Sequence, residues 1–71
     1  MIIQIRIKKN CPKTYLEKIT QERYMAYFSR SVEDREIDEI LTKLISKEFF
    51  TPLQKITIEA PTPQDRIVEI I

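Results

Sequence analysis

Residues 31–50, SVEDREIDEILTKLISKEFF, decide the fold class. Ile37, Ile40, Leu41, Leu44, Ile45 and Phe49 recur there at intervals of three and four, which stacks them on one face of an α-helix. Ser31 can accept the amide of Asp34 at the helix start, and Glu33, Asp34 and Glu36 fall near the positive end of the helix dipole. Lys43 and Lys47 fall near the negative end, and Glu39 precedes Lys43 by four residues, the favourable order for an intrahelical pair. Pro52 sets the stop, because the residue before a proline is pushed out of the α region. A helix with a single apolar stripe needs a second layer to receive it.

Four short patterns around the helix supply that layer. Ile3, Ile5 and Ile7 alternate with Gln4, Arg6 and Lys8, a half-buried strand that ends at Asn10-Cys11-Pro12. Arg23 to Ser29 reads as a second strand, with Tyr24, Ala26 and Phe28 on one face and Met25 and Tyr27 on the other. Between them, Tyr15, Leu16 and Ile19 form a short extended or turn segment at the core edge. Closeness in sequence pairs the two strands as an antiparallel hairpin with a wide loop. After the helix, Ile56 and Ile58 mark a third strand and residues 60–65 a proline-stiffened loop. Arg66 to Ile71 gives a fourth strand, apolar on both faces as central or doubly covered strands are. The expected fold is a single α+β domain over residues 1–71. One main helix packs on a four-stranded mixed or mostly antiparallel sheet, in the order β-β-α-β-β. Its core comprises Ile3, Ile5, Ile7, Tyr24 or Met25, Phe28, Ile40, Leu41, Leu44, Ile45, Phe49, Ile56, Ile58, Ile67 and Val68 or Ile70.

Composition narrows the function more by exclusion than by signature. A chain of 71 residues holds one domain and a small core, with little room for a deep substrate cavity. There is no histidine, so the usual neutral-pH general base and the commonest metal ligand are missing. There is no glycine, which excludes glycine-rich phosphate loops and leaves positive-φ turn positions to Asn or Asp. Cys11 is the only cysteine, so no intramolecular disulfide forms. The segment MIIQIRIKK is neither a signal peptide nor a spanning helix, and the expectation is a cytoplasmic protein with no membrane partner. Charge is near balance overall but uneven along the chain. Residues 1–30 carry a net +5 from Arg6, Lys8, Lys9, Lys13, Lys18, Arg23 and Arg30 against Glu17 and Glu22, while residues 31–50 carry a net −3.

The order of parts resembles the YggU-like family of small uncharacterised proteins over nearly the whole chain. That family opens with an alternating strand, a lysine, a short polar turn and a further lysine; IRIKKNCPKTYL matches with Lys8, Asn10, Lys13 and Leu16. ERYMAYF matches the second strand, the helix body matches at Leu41, Leu44, Ile45 and Phe49, and Pro52 stands where the family places a proline before the third strand. Arg66 stands at the basic position before the last apolar strand. The loops depart. The family's proline pair reads Ser31-Val32, its Gly-Lys-Ala-Asn turn reads Arg35-Glu36-Ile37-Asp38, its turn glycine reads Pro61, and its Ser-Arg pair reads Pro63-Gln64 in a loop one residue shorter. Longer members carry a second helix after the last strand. The family has no settled function, so the resemblance implies a fold and not an activity.

Candidate chemistry is sparse. Glu59, Asp65 and Glu69 flank the last loop, but nothing in their spacing makes two carboxylates converge as an acid–base pair, and no catalysis is expected. Cys11 lies in an exposed turn beside Lys9 and Lys13, where positive charge could activate its thiolate; a solvent-facing small residue is the plainer account. Only hard cations would suit carboxylates alone, and the acidic residues of the helix start serve its dipole better than a metal. No metal site and no cofactor are expected. The remaining pattern is basic and aromatic: Arg6, Lys8, Lys9 and Lys13 on the first strand and its turn, Tyr24 or Tyr27 on the neighbouring strand, and Arg66. Basic residues interleaved with aromatics on a small sheet suit RNA or another anionic macromolecule. The plainer account is lysines blunting an edge strand and tyrosines partly in the core. The competing function is a protein partner or weak homodimer held through the two-sided apolar last strand.

Overall fold

The computed structural model describes residues 1–71. Five strands and one α-helix follow in the order β1 (Ile2–Cys11), β2 (Tyr15–Lys18), β3 (Arg23–Ser29), α1 (Ile37–Phe49), β4 (Ile56–Thr62) and β5 (Asp65–Ile70). The strands form one mixed sheet ordered β2-β3-β1-β5-β4. The α+β class and the single main helix are as expected, and the sheet has one strand more. Tyr15–Lys18 is that strand. It pairs antiparallel with β3, Tyr15 opposite Tyr27 and Lys18 opposite Tyr24.

This extra strand overturns the expected hairpin. The loop at residues 19–22 closes β2 onto β3, so β1 takes the other edge of β3 and runs parallel to it, Gln4 opposite Arg23 and Lys8 opposite Tyr27. A parallel pair needs a long connection, and residues 12–22, with β2 inside them, provide it. Asn10 adopts φ 60°, the left-handed conformation Asn tolerates, where the β1–β3 register shifts between Lys8 and Cys11. β5 lies between β1 and β4 and is antiparallel to both. The expected loop at residues 60–65 is mostly strand: β4 runs to Thr62 through an irregularity after Glu59, and Pro61 is tolerated because β4 is an edge.

Strand alternation sorts the side chains into two layers. Ile3, Ile5, Ile7, Tyr24, Ala26, Phe28, Val68 and Ile70 face the helix, which answers with Ile37, Leu41 and Ile45. Leu16, Val32, Ile40, Phe49, Ile56 and Ile58 close the margins of this core. Leu44, expected inside, is half-buried, and Ile67 lies outside the core on the other face. Cys11, expected exposed, is buried, with its thiol against the carbonyls of Lys8 and Lys9.

The helix begins later than its charge pattern indicates. Val32 is drawn against the core, Ser31 spends its hydroxyl on Ser29, and a single 3₁₀ turn (Asp34–Glu36) precedes α1. The Glu33 amide donates to the Glu36 carboxylate at 2.9 Å there, so Glu33 and not Ser31 begins the helical stretch. At the other end Phe50 adopts the left-handed conformation (φ 51°, ψ 47°), and its amide returns to the Ser46 carbonyl. Glycine is usual at such a position; a chain without glycine fills it with a residue whose ring is 94% exposed. A second 3₁₀ turn (Leu53–Lys55) leads into β4.

Candidate functional site

One helix covers one face of the sheet. The other face therefore stands without a second layer, and its side chains fall into rows set by the strand register. The first row reads Tyr15, Tyr27, Lys8 across β2, β3 and β1. The second reads Glu17, Met25, Arg6, Asp65, and the third Arg23, Gln4, Ile67, Glu59. Ile2, Glu69 and Thr57 form a fourth.

The first row is an ordered basic and aromatic corner. The rings of Tyr15 and Tyr27 stack with centroids 4.6 Å apart and planes 18° from parallel. The Lys13 ammonium stands 5.3 Å from the Tyr15 centroid, within cation–π range. The Tyr27 hydroxyl donates to the Glu17 carboxylate at 2.7 Å. That hydrogen bond, with lesser help from lost solvation and the negative charge of Glu17, pushes the phenol up to about 12. Tyr27 is thus a neutral ring whose hydroxyl is already committed. Lys8 and Lys13 are exposed, and neither enters an ion pair.

The second and third rows enclose a concavity of about 470 Å³. Gln4, Arg6, Arg23, Met25, Asp65 and Ile67 line it from this face, and Tyr24 and Arg66 border it from β3 and β5. Arg6 is 3.6 Å from the Asp65 carboxylate with its side chain two-thirds exposed, so the pair is loose and solvent-screened. Charge divides across the open face. Arg6, Lys8, Lys13 and Arg23 stand on the β2–β3–β1 side with one carboxylate, Glu17, bound to the Tyr27 hydroxyl, and Glu59, Asp65 and Glu69 stand on the β4–β5 side.

Three of the residues singled out in sequence do not belong to this face. Tyr24 is 4% exposed beneath the helix, edge-on to Phe49 at 5.6 Å, and offers no ring to a partner. Burial, then the nearby charge of Glu48, raises its phenol above the ordinary value. Arg66 is 8% exposed on the helix side. Its Nε donates to Asp38 at 2.7 Å, and its Nη1 donates to the carbonyls of Thr62, Pro63 and Asp65 at 3.0, 3.2 and 2.9 Å. It staples the β4–β5 turn to the first turn of α1, with Nε and Nη1 committed and Nη2 without a protein partner. Lys9 reaches Asp34 at 3.0 Å, ahead of the helix.

Arg6, Lys8, Lys13 and Tyr27 do share the open face. The sequence reading missed Tyr15, Arg23 and Gln4 as their companions. Tyr15 became legible only with β2 and its register, because a four-residue strand with one core position, Leu16, carries almost no periodic signal, whereas Arg23 shares the alternation of Met25 and Tyr27 and needed only the parallel β1–β3 register to place it beside Gln4. No three Cys, Asp or Glu side chains gather closely enough to hold a metal ion. No helix is long and apolar enough to cross a membrane. No protein-family model matches the chain, and no curated protein matches it.

Proposed function

We propose that this protein is a non-catalytic binding module whose helix-free sheet face takes single-stranded RNA. The observation that carries the reading is the convergence of Lys8, Lys13, Tyr15 and Tyr27 on one corner of that face, with both ammonium groups free of ion pairs. Cations position a phosphate backbone without reading sequence, and aromatic rings on a sheet stack against unpaired bases. The acidic β4–β5 side repels a polyanion and confines it to the β1–β3 side. As part of the same proposal the chain is a divergent member of the YggU-like family, supported by Lys8, Asn10, Lys13, Leu16 and Pro52 at the matching positions.

The test is fluorescence anisotropy with a short labelled single-stranded RNA at low salt. Binding is expected at roughly 10⁻⁴–10⁻⁶ M, the range of electrostatic nucleic-acid contacts. The Lys8→Glu/Lys13→Glu double variant should abolish it, while Lys43→Glu/Lys47→Glu on the helix leaves it intact. Absence of binding by the native chain at low salt refutes the reading.

A second reading has one specific observation behind it. Ile2 and Ile67 stand exposed as diagonal neighbours on the open face. Both edges of β5 are already paired, so self-association through the last strand would be face to face. Sedimentation over a wide concentration range separates this from the RNA reading, which expects a monomer.

A further inference from the structure

We propose that the concavity between Arg6 and Arg23 is a subsite for one nucleotide, with the phosphate on the two guanidinium groups and the base laid on Met25 and Ile67. The proposal rests on the RNA reading of the open face and adds a specific pocket to it.

Two guanidinium groups supply the phosphate contact, and three further features support a nucleotide over a bare anion. Arg6 and Arg23 project from adjacent parallel strands one register step apart, Arg23 opposite Gln4 and Arg6 opposite Met25. Guanidinium forks placed so can share one phosphate, which Arg recognises bidentately. Met25 and Ile67 add apolar surface from which a bare anion would gain nothing. Met25 offers a polarisable side chain to a ring face, and Ile67 continues that surface across β1. Gln4 lies between them with both a donor and an acceptor, the pair needed to meet the edge of a base. The volume of about 470 Å³ falls in the range of small-molecule sites, roughly 300–1,000 Å³.

Placement ties the subsite to the aromatic corner. Gln4, Arg6 and Lys8 succeed one another along β1 on one face, each about 6.6 Å beyond the last. A strand held at Lys8 and Tyr27 therefore meets Arg6 and Arg23 with its adjoining nucleotide. Asp65 competes with the phosphate for Arg6, which makes Arg23 the stronger of the two contacts.

The experiment is an amide-resolved NMR titration of the full chain with uridine monophosphate, adenosine monophosphate and inorganic phosphate, beside the RNA anisotropy assay. Nucleotide-induced shifts are expected at Gln4, Arg6, Arg23, Met25 and Ile67. Arg23→Gln should weaken nucleotide binding about tenfold, the loss of one charge-assisted contact. Lys43→Gln should leave it within about twofold, since Lys43 lies on α1 and not on the open face. Shifts centred on Lys43 or Lys47, or equal shifts with inorganic phosphate alone, overturn the subsite. RNA binding with no nucleotide binding in the pocket overturns the subsite and spares the RNA reading. Nucleotide binding in the pocket with no RNA binding overturns the RNA reading and leaves a mononucleotide site.

Discussion

Replacing Arg66 with Met should destabilise the fold by roughly 2–4 kcal/mol, although no core hydrophobe is touched. Arg66 is 8% exposed, and its guanidinium makes four hydrogen bonds, one to Asp38 and three to carbonyls of the β4–β5 turn. Each bond to a charged group is worth about 1.5–3 kcal/mol in isolation, but the four do not add. Thr62 and Pro63 are exposed, so water can satisfy their carbonyls once the guanidinium is gone. The Asp38 side chain is 55% exposed, which discounts the ion pair itself. Met keeps the apolar stem and its volume, so the variant isolates the polar contacts. At roughly 0.05–0.15 kcal/mol per residue, a domain of this size has about 4–11 kcal/mol in hand, and the loss is a large share of it. Urea denaturation should show a lower midpoint with an unchanged slope. A cycle with Asp38→Ala should return a coupling of about 1 kcal/mol. A loss below about 0.5 kcal/mol for Arg66→Met would refute the staple, and Arg66 would again be open to a partner.

Three further outcomes follow from particular side chains. Leu41, 0% exposed at the centre of the helix–sheet contact, should cost about 2–5 kcal/mol on truncation to Ala, against less for half-buried Leu44 in the same urea assay. Phe50→Gly should stabilise by about 1 kcal/mol, because the ring is exposed and the backbone is left-handed; a destabilised variant would show that the ring packs. Tyr27 should release its proton near pH 12, and Glu17→Ala, which removes the acceptor, should bring that titration down toward the ordinary 10.0 in near-ultraviolet absorbance. Its folded value lies above its unfolded one, so its contribution to stability is whole below about pH 10 and is lost as pH rises to about 12. An unchanged Tyr27 titration in the Glu17 variant would remove the hydrogen bond from the account.

Much of the fold is legible in the sequence because periodic apolar residues are sorted by the same water that builds the core. Ile3, Ile5 and Ile7, the alternation in β3 and the stripe through Leu41 and Ile45 all land where burial requires. The failures share a cause. β2 has four residues and one core contact, too few for a period, and its omission made β1 and β3 look like partners in a hairpin. Ile67 is apolar yet faces solvent, because a central strand in a sheet with one helix keeps one face uncovered. Arg66 reads as a surface cation, since a burial bought by Asp38 and three turn carbonyls depends on long-range geometry and on no local pattern. Of the candidate site, Lys8 and Tyr27 were legible as alternating strand positions. Tyr15 needed β2, and Arg23 needed the parallel β1–β3 register.

In the proposed function, the helix-free face carries the contact with an anionic strand. The salt dependence of RNA affinity tests it most directly. Arg6, Lys8, Lys13 and Arg23 are the cations of that face. If all four meet phosphates, the logarithm of the association constant should fall against that of salt with a slope of about −2.8 for a single strand. Lys8→Gln/Lys13→Gln should reduce the slope to about −1.4, while Lys43→Gln/Lys47→Gln leaves it unchanged. A slope indifferent to the sheet variants and reduced by the helix variants would contradict the account and move the binding surface to α1.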